Sequence, residues 1–108
     1  MNDRELLELA AKAAGLKSPR YVQETSWGTG ISHGDGDQVY IIWNPLKDDG
    51  DAIRLAVKLN LLVDCFGLCV RPLPDSLGWF DGSPEKDSNA AMRRAIVRAA
   101  AEIGRAMP

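Results

Sequence analysis

Apolar side chains recur every three to four positions in three stretches of this chain, and elsewhere they alternate with polar ones or run together. That pattern predicts three amphipathic helices separated by short strands. Leu6, Leu9, Ala10 and Ala13, widened by Leu7 and Ala14, mark a helix over 3–14. Asn2 stands at its N-cap, Asp3 and Glu5 suit the positive end of its dipole, and Gly15 followed by Ser18-Pro19 stops it. Glu8 and Lys12 have the i,i+4 spacing of a surface ion pair. A second helix over 49–59 carries Ala52, Ile53, Leu55, Ala56, Val57 and Leu59 on a broad apolar face, leaves Arg54 and Lys58 to solvent, and is closed by a left-handed Asn60. The third, over 89–106, repeats Met92, Ala95, Ile96, Ala99 and Ile103. Ser88 or Asp87 caps it, and Arg94, Arg98, Glu102 and Arg105 share its polar face.

Between the helices, residues 20–27 alternate as a strand, and 38–43, QVYIIW, predict a stronger and central one. Asn44-Pro45 ends it, because proline has no amide hydrogen for the ladder. Residues 28–37 read as a glycine-rich link, and 61–73 as a buried strand with a bend or turn at Gly67. The Pro-, Gly- and Ser-punctuated stretch that follows reads as loop, with a short edge strand around 78–80. The order helix-strand-strand-helix-strand(-strand)-helix, with connections too short for repeated crossovers, implies an α/β class of the α+β type. A small mixed or antiparallel sheet of three to four strands, packed with three helices, is expected in a single domain over 1–108.

A chain of 108 residues buries roughly 60–70% of its unfolded surface, enough for a core without staples. Its 45% hydrophobic and 26% charged content argues against disorder. A net charge of −2 offers no global field for nucleic acid or an anionic membrane. No apolar run is long enough to span a bilayer, and the first fifteen residues lack the parts of an export signal, so a cytosolic protein is expected. Cys65 and Cys69 fit that compartment. On one extended strand their α-carbons would be about 13 Å apart, too far for a disulfide, and both read as buried, inert thiols.

Chemistry is suggested first by the aspartates of WNPLKDDGD, residues 43–51. A calcium loop starting at Asp49 puts Asp51 third but Ile53 fifth and Asn60 twelfth; one starting at Asp35 puts Asp37 third but Val39 fifth and Leu46 twelfth. Both fail. Asp48 as N-cap, with Asp51 reaching back as the acid of a capping box, explains the cluster, so neither a metal nor a catalytic residue is expected there. The stretch WGTGISHGDGD, with Gly28, Gly30 and the only histidine, His33, is followed by a strand and lacks a phosphate-binding lysine. It satisfies neither the P-loop nor the dinucleotide pattern, and reads as a hairpin or mobile loop or as a binding loop. Ser26, Ser32 and Cys65 have no orienting third group that would make His33 a base. The arginines Arg93, Arg94, Arg98 and Arg105 form either a solvated helix face or a charged face for a protein. Trp43 reads as core. Trp27 and Trp79, among glycines and polar residues, are candidate interface anchors, with Phe80 beside the latter.

Three segments, ELLELAAKAAG (5–15), WNPLKDDGDAIRLAVKLN (43–60) and AAMRRAIVRAAAEIGRAM (90–107), resemble a family of small proteins of tailed bacteriophages and prophages, the phage alpha-beta-alpha sandwich domain. The resemblance covers nearly half the chain and leaves out the loops 26–38 and 67–87. It implies a phage accessory protein made inside a bacterium, and brings no catalytic residue or cofactor. The leading expectation is a non-enzymatic protein that binds a host or phage macromolecule, including a component of antiphage defence. Its binding residues would be Trp27, Gly28, Gly30, His33, Trp79 and Phe80, with Arg94 and Arg98. The alternative is a small-molecule binder, such as a nucleotide-sequestering protein using the glycine loop; an enzyme built on the acid cluster ranks last. Homo-oligomerisation stays open.

Overall fold

The computed structural model describes residues 1–26, 28–34, 41–73 and 77–108. Trp27, the first half of the predicted strand over 38–43 (residues 38–40), and the aspartates Asp35 and Asp37 lie outside the described residues. The fold is α+β. In chain order it runs α1 (Asp3–Ala14), β1 (Arg20–Thr25), β2 (Gly28–His33), β3 (Ile41–Trp43), α2 (Asp49–Lys58), β4 (Leu61–Asp64), β5 (Cys69–Pro72), β6 (Phe80–Asp81) and α3 (Ser88–Ala106). The strands form two antiparallel three-stranded sheets, β1-β2-β3 and β4-β5-β6, rather than the one sheet expected.

The helix ends follow from local chemistry. Asn2 Oδ1 accepts from the Glu5 amide at 2.8 Å while Glu5 Oε1 accepts from the Asn2 amide, a full capping box. Gly15 closes α1 at φ 72°, and Asn60 follows α2 at φ 54°, as their residue types suggest. Asp87, not Ser88, caps α3 by accepting from the Ala90 amide at 2.9 Å. The surface pair on α1 is Arg4–Glu8 instead of Glu8–Lys12, whose ammonium donates to the Met107 carbonyl.

Small residues let α1 and α3 cross closely. Ala10, Ala11 and Ala14 of α1 and Ala95, Ala99 and Ala100 of α3 are all buried. At Gly104 an added Cβ would stand 2.0 Å from the Leu9 carbonyl oxygen. The buried residues of α3, including Ala91, Val97 and Ala101, exceed one stripe because it touches α1, α2, β5 and β6. On α2, by contrast, only Ala52, Leu55 and Ala56 are buried, and Ile53 and Val57 of its predicted apolar face stand exposed.

Residues 28–33, read from sequence as part of a glycine-rich link, are β2, the central strand of the first sheet. β3, expected to be central, is at an edge. β2 pairs Ile31 with both Tyr21 and Trp43, so these three share the face that packs on the core. Gly30 is needed where β2 meets β3: its φ is 151°, and a Cβ there would be 2.6 Å from the Trp43 carbonyl. In the second sheet Val63, Val70 and Phe80 are matched across the strands and face the core against α3, with Val70 fully buried.

Candidate functional site

The aspartates of the WNPLKDDGD stretch each make a contact that holds the fold locally. Asp48 Oδ2 accepts from the Asp51 amide at 2.8 Å and caps α2. Asp51 does not complete a capping box. Its Oδ2 accepts from the Asn44 amide at 2.9 Å and its Oδ1 from Arg54 at 2.8 Å. Asn44 donates through Nδ2 to Thr29 O and accepts from the Leu46 amide. The break after β3 is thus tied to both β2 and α2, and among the described residues no group of His, Cys, Asp and Glu is arranged to hold a metal.

The arginines of α3 do not form a free basic face. Arg93 donates to the Leu46 carbonyl and to Asp49. Arg94, with a side chain only 14% exposed, binds Asp3 and Glu85. Partial burial works against its charge, but the two carboxylates outweigh it and the guanidinium pKa rises. Arg98 donates to the Asp81 carbonyl at 2.8 Å. These contacts lash α1, the loop before α3 and β6 to one helix. Of the sequence candidates, Phe80 and Arg98 meet where β6 packs on α3, Arg94 lies one turn earlier on α3, and Trp79 immediately precedes β6. Gly28, Gly30 and His33 belong to β2 in the other sheet, and Trp27 is not described.

The β4–β5 hairpin builds a surface that the sequence did not single out. Asp64 Oδ1 accepts from the Phe66 and Gly67 amides at 3.0 and 3.1 Å, an Asx turn that reverses the chain over residues 65–68. Leu68 is held at φ 52°, unusual for a bulky residue, and Phe66 projects from the tip fully exposed. Strand alternation then sends Leu62 and Asp64 of β4, and Cys69 and Arg71 of β5, to the side opposite α3. Trp79 lies on that side too, its ring centre 5.0 Å from the Arg71 guanidinium.

Cys65 and Cys69 are not on one strand and are not buried. Cys65 is exposed in the turn and Cys69 half-buried at the start of β5. Partial burial, then the carboxylates of Asp64 and Asp81, push the Cys69 thiol pKa up. Asp81 itself is held below the usual carboxylate range, chiefly by the backbone hydrogen bond from Ser83.

No family model, curated protein or solved structure matches this chain.

On the outer face, Leu62 is 40% exposed and Trp79 50%, with exposed Leu73 and Leu77 in the connection between β5 and β6. A sheet face that exposes Leu62 and Trp79 beside an arginine–tryptophan stack has the composition of an interface centre, where Trp and Arg predominate. A half-exposed Trp is already ordered by its cation–π contact, about 0.5–1 kcal/mol at such a site, so less side-chain freedom remains to be lost on binding. The residues missed from sequence, Leu62, Phe66 and Arg71, gave no signal there because only the strand register decides which of them share a face. Among the described residues no helix is long and apolar enough to cross a membrane.

Proposed function

We propose that this chain is a non-enzymatic binding protein that docks another protein on the outer face of its second sheet. The observation that carries the reading is the Arg71–Trp79 stack beside Leu62, on the side of the sheet that α3 does not cover. Phe66 at the hairpin tip extends the same reading. The setting we propose is the one the resemblance implies: a phage accessory protein in the cytosol of its bacterial host, acting on a host or phage protein such as a defence component.

The test is affinity capture from bacterial lysates with wild-type protein, Leu62→Asp and Trp79→Ala, each checked for native circular dichroism. A specific protein retained by the wild type and lost from both variants is expected. Truncating a central aromatic anchor typically costs 2 kcal/mol or more, roughly thirtyfold in affinity, well within reach of the assay. Capture that is unchanged in both variants, or no specific protein across several hosts, would refute the assignment.

A further inference from the structure

The first sheet presents a second, separate feature: an open cleft of about 380 Å³ between its core-facing side, the C-terminal end of α1 and α2. Trp43, Leu16 and Leu55 supply apolar walls, and His33, Arg54 and Lys58 line the same cleft. We propose that this cleft binds a small organic anion, with a flat apolar body against Trp43 and a carboxylate or phosphate held by Lys58, Arg54 and His33.

Among the described lining residues the side-chain charges favour an anion. Asp51 also lines the cleft, but both its oxygens are engaged, Oδ2 by the Asn44 amide and Oδ1 by Arg54. Arg54 spends one nitrogen on that pair and keeps other N–H donors for a ligand. Lys58 makes no ion pair among the described residues. Its ammonium sits over the end of α1, where a Cβ added to Gly15 would be 3.9 Å from Nζ. The negative end of the α1 dipole favours that placement and leaves the charge at the mouth of the cleft. His33 follows Ile31 by two positions on β2, which turns it to the core-facing side and toward the same space.

The volume lies within the usual range for small-ligand sites, where apolar walls and a few polar groups combine. A cleft of similar size at the other end of this sheet, bounded by Tyr21, Thr29 and Asn44, is less suited. There Lys47 is the one cationic side chain among the described lining residues, the Asn44 side chain is spent on Thr29 and Leu46, and Asp3 faces Arg94.

The test is titration of the full-length protein, followed by amide and indole NMR shifts. The probes are adenosine 5′-monophosphate and indole-3-acetate, against their uncharged counterparts adenosine and indole-3-acetamide. At least one anion is expected to saturate, shifting Gly15, Leu16, His33 and the Trp43 indole, with its uncharged counterpart about tenfold weaker. Whichever anion saturates identifies the source as phosphate or carboxylate. Lys58→Gln is expected to weaken binding about tenfold and Arg105→Gln, which does not line the cleft, to leave it unchanged. Failure of both anions to saturate, shifts centred on other residues, or wild-type affinity in Lys58→Gln would overturn the proposal.

Discussion

Gly104→Ala is expected to weaken the fold, against the sign that helix propensity assigns to it. In a helix interior alanine is favoured over glycine by about 1 kcal/mol. Here the new Cβ would lie 2.0 Å from the Leu9 carbonyl oxygen and 2.9 Å from its carbon, both backbone atoms. Carbon–oxygen contacts settle at about 3.3 Å or more, so α1 and α3 would have to part by roughly 1.3 Å. The alanines between them are too short to follow, and contact is lost along the whole crossing. Overpacking of this kind costs about 3 kcal/mol, at the upper end of its usual range because backbone must move. Subtracting the propensity gain leaves about 2 kcal/mol of destabilisation, or roughly 10 °C in Tm for a domain of this size.

Urea and thermal unfolding followed by circular dichroism measure this directly. Gly50→Ala is the internal control. It is also helical, but its Cβ would meet only side-chain atoms, the Arg54 guanidinium at 3.1 Å and the Asp48 capping oxygen at 3.2 Å, which need yield only a few tenths of an ångström and can keep their bonds. It should be neutral or stabilising by up to about 1 kcal/mol. If Gly104→Ala unfolds at or above the wild-type temperature, Gly104 does not set the α1–α3 spacing and the packing account fails.

Other outcomes are expected from the same structure. Asp48→Ala should cost about 1 kcal/mol as a lost N-cap. Asp51→Ala should cost about 1–3 kcal/mol because it strands the part-buried Asn44 amide, and equal melting of wild type and Asp51→Ala would contradict that. In single-cysteine variants Cys65 should react with iodoacetamide faster than Cys69 at neutral pH, because the raised pKa of Cys69 leaves it less thiolate; the reverse order would be inconsistent with its acidic surroundings. For Asp81 the folded-state pKa is depressed, so its contribution is present above the unfolded pKa and disappears as pH falls through the folded one. The stability gap between wild type and Asp81→Asn should therefore be full at neutral pH and close on acidification. A gap that widens toward acid would contradict the Ser83 hydrogen bond as its cause.

The helices were legible because their signals are local. α1 has the bounds that Asn2, its apolar stripe and Gly15 predict, and Asp48 caps α2 as its position suggested. β2 was missed because its glycines erase the alternation that marks a strand, and only pairing with β1 and β3 reveals it. Helix α3 is legible from its periodicity, but periodicity does not show what its arginines touch. Two of their partners lie far along the chain: Arg94 reaches Asp3, 91 residues away, and Arg93 reaches Asp49, 44 residues away. Of the candidate site residues, the sequence drew attention to Trp79 and His33 by composition alone, with nothing to say what stands beside either.

By itself, then, the sequence determined which segments are helical, where they start and stop, and the α+β class. Capping, periodicity and left-handed residues act within a few positions of one another, and a linear pattern displays them. The tertiary structure alone decided that the strands divide into two sheets, that Arg71 stacks on Trp79 beside Leu62, and that Lys58 and His33 line one cleft. Each depends on strand register or helix crossing, where a shift of one residue would turn a side chain to the opposite face.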